Sequence, residues 1–477
     1  TIVSAGTRLY KYNASHSQRT PIRADLSNDL PTFLTAYRTG LTNDAMLLYI
    51  ANGADPPMTY DLTTVANFAP TNLPSDVKFF VAHQDRLFAV AATNPLHVFW
   101  CGSLAPSGTW TPFAKTIGIP SSDPAIRAMI SHALTTAEAG IISELIVCTD
   151  TQTWALIGSE GWGPAGEGVT AFLGSDIRLH NVSSVIGSAS PKTFVNVPGI
   201  GTIFLGRMYG RTQPMLLSGQ GASAVLTPIL GLRADMADIP NSELKWACAT
   251  WADGHYMLSV TVAGEVSNSR EWWLRTDSLF PTRGGLWGAW YGPMIRRTSC
   301  TGINAFLPFG GSTDNNELVL GDSTTGRLCQ FNVGDDDEGS AIRVKVRSGW
   351  RSPSPGRPTR FRFALVNAER LEGVVVHTIY LDYGNASIDQ PAAIIPIDRI
   401  GTFVIGVGTI GGQETGLVTL DLGDAVPVGE TALRESTLDA EAFSQEVTFE
   451  AAGTPFTLHQ LGVRAQALRY ELDRVSL

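Results

Sequence analysis

A recurring hairpin constrains this chain more than any other feature. Six stretches share one design, in which two short apolar or β-branched runs flank a polar turn. They begin at residues 46, 78, 145, 201, 245 and 317. MLLYIANGADPPMTYDL turns at Asn52-Gly53, and KFFVAHQDRLFAV turns over His83-Gln84-Asp85-Arg86. LIVCTDTQTWALI turns at Thr149-Asp150, and KWACATWADGHYMLSVTV turns at Asp253-Gly254, a strong hairpin signal. GTIFLGRMYGRTQPMLLS and ELVLGDSTTGRLCQF repeat the pattern. The mean spacing of about 54 residues compares with about 40–50 for a propeller blade, and insertions lengthen some units. A single hairpin cannot bury both of its faces. Hairpins stacked around an axis bury them against one another and protect the strand edges. The pattern therefore predicts an all-β chain built as a degenerate β-propeller of about six blades. Residues 2–12, IVSAGTRLYKY, read as one strand pair or as the strands that close the ring.

Helix signals are few. Residues 124–140 place Ile126, Met129, Ile130, Ala133 and Leu134 at helical spacing, with Pro124 near the start and Gly140 at the end. This predicts a short helical insertion between blades. A shorter helical turn is expected within 233–239. The pattern changes at the acidic loop Gly334-Asp335-Asp336-Asp337-Glu338-Gly339. Beyond it, Ile342–Val346 and Arg360–Phe363 alternate strictly, as half-buried strands do. Further strands are expected at 373–383, 402–410, 416–422, 446–450 and 456–464. The chain thus reads as a propeller over 1–335 followed by an antiparallel β-sandwich over 340–477.

Composition excludes several classes. Only 16% of the 477 residues are charged, and 48 Gly and 27 Pro spread along the chain supply many turns. The net charge of −10 gives no sign of the basic patch by which a protein grips phosphates. Cys101, Cys148, Cys248, Cys300 and Cys329 are odd in number, widely spaced and without C-x-x-C. That argues against a disulfide framework or a zinc site, and for folding in a reducing compartment. Thr1 to Asn13 lacks the basic-then-apolar pattern of a signal peptide. No apolar run reaches the length of about 18 residues that a transmembrane helix needs.

Candidate sites were weighed against plain structural roles. Gly406-Val407-Gly408-Thr409-Ile410-Gly411 matches G-x-G-x-x-G, but a strand at 417–422 follows it where a dinucleotide site needs a helix. A Gly-rich hairpin is the preferred reading. Asp335–Glu338 offers carboxylates to a hard cation but lacks the D-x-D-x-D-G spacing that would wrap one, so a solvated loop is preferred. The eight histidines are scattered, and neither a G-x-S-x-G elbow nor a Gly-Lys pair occurs. Trp272, Trp273, Trp287, Trp290 and Tyr291 form an aromatic cluster. It could stack sugars, but aromatics also dominate cores and interfaces, which is the preferred role. Ser107-Gly108-Thr109-Trp110 ends like the Asp-box of sialidase propellers but lacks its Asp and Gly. No catalytic, cofactor-binding or metal-binding residue is assigned, no cofactor is expected, and the chain is expected not to be an enzyme.

One unit carries a family resemblance. In Lys78 to Trp110 an RLF strand, an Asn94-Pro95 turn, the aromatic strand LHVFW and a short loop closing on Trp110 succeed one another. This resembles the repeating blade of β-propeller proteins in phage tails, the packaged-DNA stabilisation and tail-nozzle proteins of short-tailed bacteriophages. YLDYG at Tyr380 to Gly384 is similar to a segment of their last domain. The resemblance implies a structural virion protein, made in the host cytoplasm. It would assemble as a homo-oligomeric ring, a hexamer, in the tail beside adaptor, fibre or needle proteins. Genomic DNA would pass through the lumen without sequence-specific binding, be retained in the particle and be released at infection. Arg-rich loops such as Arg351 to Arg362 would serve subunit contacts. The alternative is a carbohydrate-binding or glycan-cleaving propeller that binds a receptor.

Overall fold

The structure is a computed structural model of the 477-residue chain. It describes residues 1–330 apart from 14–17, 28–29, 39–45, 137–139, 159–177, 189, 220–223, 233–234, 295–301, 311–315 and 325, and beyond 330 it describes strands alone. The chain divides into two compact units, Thr1–Phe331 and Asn332–Leu477.

The first unit is a β-propeller. Among the described residues it has seven blades, taken here in chain order, and neighbouring strands within a blade are antiparallel. Blade 1 joins Ile2–Ala5, Arg8–Tyr12 and Arg19–Arg23. Blade 2 joins Phe33–Arg38, Met46–Ala51, Met58–Tyr60 and Val65–Asn67. Blade 3 joins Val77–His83, Arg86–Ala91, His97–Trp100 and Ile117–Gly118. Blade 4 joins Ala128–Thr136, Gly140–Cys148, Thr153–Ile157 and Arg178–Ser183. In blade 5, Ile186–Ser188 and Val195–Val197 share one edge of Gly201–Met208, and Arg211–Ser218 and Val225–Leu230 follow. Blade 6 joins Cys248–Ala252, His255–Val260, Arg270–Thr282 and Gly285–Met294. Blade 7 joins Ile303–Gly310, Asn316–Asp322 and Leu328–Gln330. The outer strands of blades 5 and 6 also touch in parallel, with Ile229 beside Leu286 and Leu230 beside Trp287.

Each of the six sequence hairpins lies in its own blade, from the second to the seventh. The count of about six is low by one because the N-terminal strands form a blade of their own, with Arg19–Arg23 as a third strand. The expected helix over 124–140 is also corrected. Ala128–Thr136 is a strand, paired residue for residue with Gly140–Cys148 from Ala128↔Cys148 to Thr136↔Gly140. Its apolar spacing fits a helix, but Ile141 to Cys148 is a β-branched run that needs an edge partner. That tertiary demand outweighs local propensity. The expected turn within 233–239 is a 3₁₀ helix at Asp235–Asp238.

Why these runs are continuously apolar becomes clear from the packing. A blade inside a ring has a neighbour on each face, so both sets of alternating side chains are buried. In blade 3, Phe79, Phe88 and Val90 pack against Met129, Leu145 and Leu156 of blade 4. The intervening Phe80, Leu87 and Ala89 pack against Tyr49 and Phe68 of blade 2, with Trp110 in the same cluster. Similar clusters join blades 1 and 2 through Leu9, Ile50 and Tyr60, and blades 4 and 5 through Ile146, Phe204 and Leu217. Ile203, Tyr256, Leu258 and Trp272 join blades 5 and 6, and Cys248, Met257, Ile303 and Leu320 join blades 6 and 7. Each such fully buried large side chain contributes about 1.5–3 kcal/mol. The ring closes where Tyr12 Oη and Arg19 Nη1 of blade 1 donate to the Gly326 carbonyl of blade 7, at 3.2 and 3.1 Å.

Cys101, Cys148 and Cys248 are buried free thiols, whereas Cys329 is disulfide-bonded. One such bond is not the disulfide framework that the cysteine spacing argues against. An odd count and wide spacing say nothing of a single pair that tertiary folding brings together.

The second unit holds two antiparallel four-stranded sheets, the layers of the β-sandwich. One runs in the order Ile342–Arg347, Phe443–Ala451, Gly373–Leu381, Ala386–Ile394. The other is centred on Thr359–Glu369, which pairs with Thr415–Asp421, Leu438–Ala440 and Thr457–Ala467. The acidic loop at 335–338, the Gly-rich stretch at 406–411, the strand expected at 402–410 and the Pro-rich loop at 352–358 lie outside the described residues.

Two tryptophans discriminate core from surface. Trp110 is fully buried, donates from Nε1 to the Pro106 carbonyl at 2.8 Å and packs edge-on to Phe68. Trp110→Ala should lower the unfolding free energy by about 3–5 kcal/mol, read as a shift in the urea midpoint. Trp287, expected to be structural, is 46% exposed. Its replacement by Ala should cost less than about 1 kcal/mol.

Candidate functional site

Two places bring functional side chains together: the propeller axis and the outer face of blade 6. The axis is lined by the first strand of each blade. There Thr35 Oγ1 donates to the Phe80 carbonyl at 2.8 Å, and His83 Nδ1 lies 2.9 Å from Ser131 Oγ. Asn196 Nδ2 donates to the Ser131 carbonyl at 3.1 Å, and His132 Nδ1 sits 2.7 Å from Thr202 Oγ1. Lys192, in the loop between the two edge strands of blade 5, holds Nζ 5.7 Å from the centre of the Phe33 ring of blade 2. Blades 2 and 5 are not neighbours, so this cation–π contact reaches across the axis. Phe33 in turn meets Phe79 edge-on at 5.5 Å. Desolvation lowers the Lys192 pKa from its ordinary 10.5. The axis is thus crossed by an ammonium group and aromatic rings.

The blade 6 face follows from strand arithmetic. Trp272 and Trp273 are adjacent in one strand, so their rings leave opposite faces. Trp272 is buried in the core shared with blade 5, and Trp290, two strand positions from it, donates from Nε1 to the Leu230 carbonyl at 2.9 Å. On the other face, register aligns Thr250, Met257, Trp273 and Tyr291 in one row from the inner strand to the outer. Blade 7 covers this row, but among the described residues it has three strands against four in blade 6. Cover therefore fades outward. Thr250 and Met257 are buried, Trp273 is half-buried, and Tyr291 is 43% exposed. His255 lies 6.2 Å from the Trp273 ring and 5.9 Å from the Tyr291 ring. Beside them Arg275 donates two hydrogen bonds to Asp277, from Nε at 2.7 Å and Nη2 at 2.8 Å. Asp277 and then the Tyr291 side chain raise the pKa of Arg275, and Arg275 in turn lowers that of Asp277. Farther out, past a register shift, Phe280 and Trp287 form an exposed cross-strand pair near the hairpin tip.

The sequence cluster of five aromatics is therefore two groups. Trp272 and Trp290 are packing residues, as preferred. Trp273, Tyr291 and Trp287 are on partly or largely open faces, which corrects that preference. His255, Arg275 and Asp277 were not singled out at all. The Trp-Trp doublet in a strand context was the available signal, since its two rings leave opposite faces of the blade. Trp110, weighed as the end of an Asp-box, is a core residue. Among the described residues no group of three or more His, Cys, Asp or Glu is placed to hold a metal ion. No helix among them is long and apolar enough to cross a membrane.

No protein family and no curated protein matches the chain. Among solved structures the chain is similar to SapL1 lectin in complex with alpha methyl fucoside, at 13% identity and a TM-score of 0.33 over 63% of this chain and 92% of that one. An exo-beta-1,3-galactanase from Phanerochaete chrysosporium is similar at 8% identity and a TM-score of 0.28, over 96% of this chain and 100% of that one. The GH43 protein BlXynB from Bacillus licheniformis is similar at 10% identity and a TM-score of 0.26, over 91% and 97%. At these identities and TM-scores the similarities assign no activity. The expectation that the chain is not an enzyme is withdrawn, because glycoside hydrolases are among the proteins it is similar to.

Three histidines, two of them on first strands, give the first unit a pH dependence. His83 is buried with Nε2 free of any hydrogen bond, and desolvation pushes its pKa from 6.5 down to about 4. Desolvation lowers His97 and His132 as well. The unfolded chain then binds more protons than the folded one between these values. Stability should hold above pH 6.5 and fall as pH drops toward 4. The hydrogen-bonded carboxylates of Asp55 and Asp123, whose pKa values lie below 3.8, add their loss only beneath that window. Urea midpoints measured across the window should slope downward, and His83→Gln should flatten the slope.

Proposed function

We propose that this chain is a structural protein of a phage tail, a nozzle or neck component that assembles as a ring and forms part of the DNA conduit. The observation that carries this reading is the unit from Lys78 to Trp110. The stretch that resembles the phage-tail blade supplies three of the four strands of blade 3, and its closing Trp110 is buried in the core shared with blade 2. A propeller followed by a sandwich is the arrangement that the resemblance implies. The blocked axis bears on where DNA would run. With Lys192 reaching across to Phe33, the passage belongs between copies of the chain and not along the blade axis. The net charge of −10 suits such a passage. A basic wall would hold DNA by releasing counterions, whereas carboxylates repel it and leave it mobile within a screening length of about 10 Å. Packaged DNA would be retained by the closed tail and released through this lumen.

A second reading, a carbohydrate-binding or glycan-cleaving propeller, is supported by the open aromatic face of blade 6. A receptor-binding role would also fit a tail protein.

Sedimentation and mass photometry of the purified chain test the ring. The account expects a closed assembly of about six chains, the copy number that the resemblance implies. A chain that stays monomeric, alone and with the adaptor proteins of its particle, would overturn the reading.

A further inference from the structure

The outer face of blade 6 is shaped for one kind of ligand. Its centre is the half-open ring of Tyr291, flanked by Trp273 and His255. Its rim is the Arg275–Asp277 pair, whose side chains are 53% and 64% exposed. A protein partner seated here would strip water from that pair, and the desolvation of two charges offsets much of what apolar burial contributes. A small amphipathic ring would not. A pyranose has an apolar C–H face that lies on an aromatic ring, and equatorial hydroxyls that remain near water while exchanging hydrogen bonds with charged groups.

The charge of the face narrows the class further. Arg275 spends two donors on Asp277, so the pair is neutral as a unit, yet donors remain on the guanidinium and lone pairs on the carboxylate. A uronic or sialic acid would have to compete with Asp277 for the guanidinium. A neutral sugar makes use of both partners as they stand. We propose that this face binds a neutral pyranose of a glycan, with Tyr291 beneath the ring and Arg275 and Asp277 on its hydroxyls. Among the described residues, blade 7 has three strands beside the four of blade 6, and this face lies past them. The inference deepens the carbohydrate-binding reading and rests on it, and it is independent of the ring.

The test is saturation-transfer NMR on the full chain with the methyl glycosides of glucose, galactose, mannose and fucose, and with sialyllactose for comparison. Transfer from aromatic protons to the C–H protons of at least one neutral glycoside is expected, and none to the sialic acid residue. Tyr291→Ala and Asp277→Asn should each weaken that binding about tenfold or more, a loss of about 1.4 kcal/mol. Tyr291→Phe, which keeps the ring, should retain transfer. Trp287→Ala, at the hairpin tip, should leave binding unchanged and so controls for folding. Absence of transfer from every neutral glycoside would overturn the proposal. So would binding that survives Tyr291→Ala, or a Tyr291→Ala variant that changes oligomer mass and no sugar signal, which would make the face a protein contact. A monomeric chain that binds sugar would remove the ring and keep this site. A ring that binds none would do the reverse.

Discussion

The Gly326 carbonyl is where the first and last blades meet. It accepts from Tyr12 and Arg19, more than 300 positions earlier in the chain. The rest of the first unit depends on that closure. Each blade buries two faces only if it has two neighbours, and a linear stack would leave blades 1 and 7 with an apolar face in water. Polar contacts from the connecting loops add to the apolar packing between blades 5, 6 and 7. Ser190 Oγ donates to the Ala247 carbonyl at 2.8 Å, and Asn268 Nδ2 donates to the carbonyls of Trp246 at 2.7 Å and Ile303 at 2.9 Å. These bonds pin adjacent blades at heights where apolar packing alone would let them slide.

The same packing explains what was legible in the sequence. A run such as Leu87-Phe88-Ala89-Val90 has no polar face, so it announces burial on both sides and hence a sheet between sheets. Turn chemistry at Asn52-Gly53 and Asp253-Gly254 then marks the hairpins, and both glycines have positive φ. Blade 1 was harder to read because Arg19–Arg23 contains a proline and two arginines and is largely exposed. Ala128–Thr136 was misread because its apolar residues satisfy two periods at once. Met129 faces blade 3 and Ala128 faces blade 5, which only the strand period explains.

The open face of blade 6 was less legible, for a physical reason. Exposure there is set by how far the described strands of the neighbouring blade reach and not by blade 6 itself. The row from Met257 to Tyr291 contains the same kinds of residue as a core row, and only the length of blade 7 decides that its end is wet. Likewise Lys192 reads as an ordinary turn lysine until the ring places it against Phe33. A seven-bladed ring with a crossed axis turns functional attention to its outer faces and to the spaces between copies.

The conduit reading is the central claim, and a density map of the intact particle tests it most directly. The account expects this chain in a tail ring whose lumen runs between copies and is lined by Asp and Glu. A monomer on the outside of the capsid, a lumen lined by Arg, or DNA density along a blade axis would contradict it.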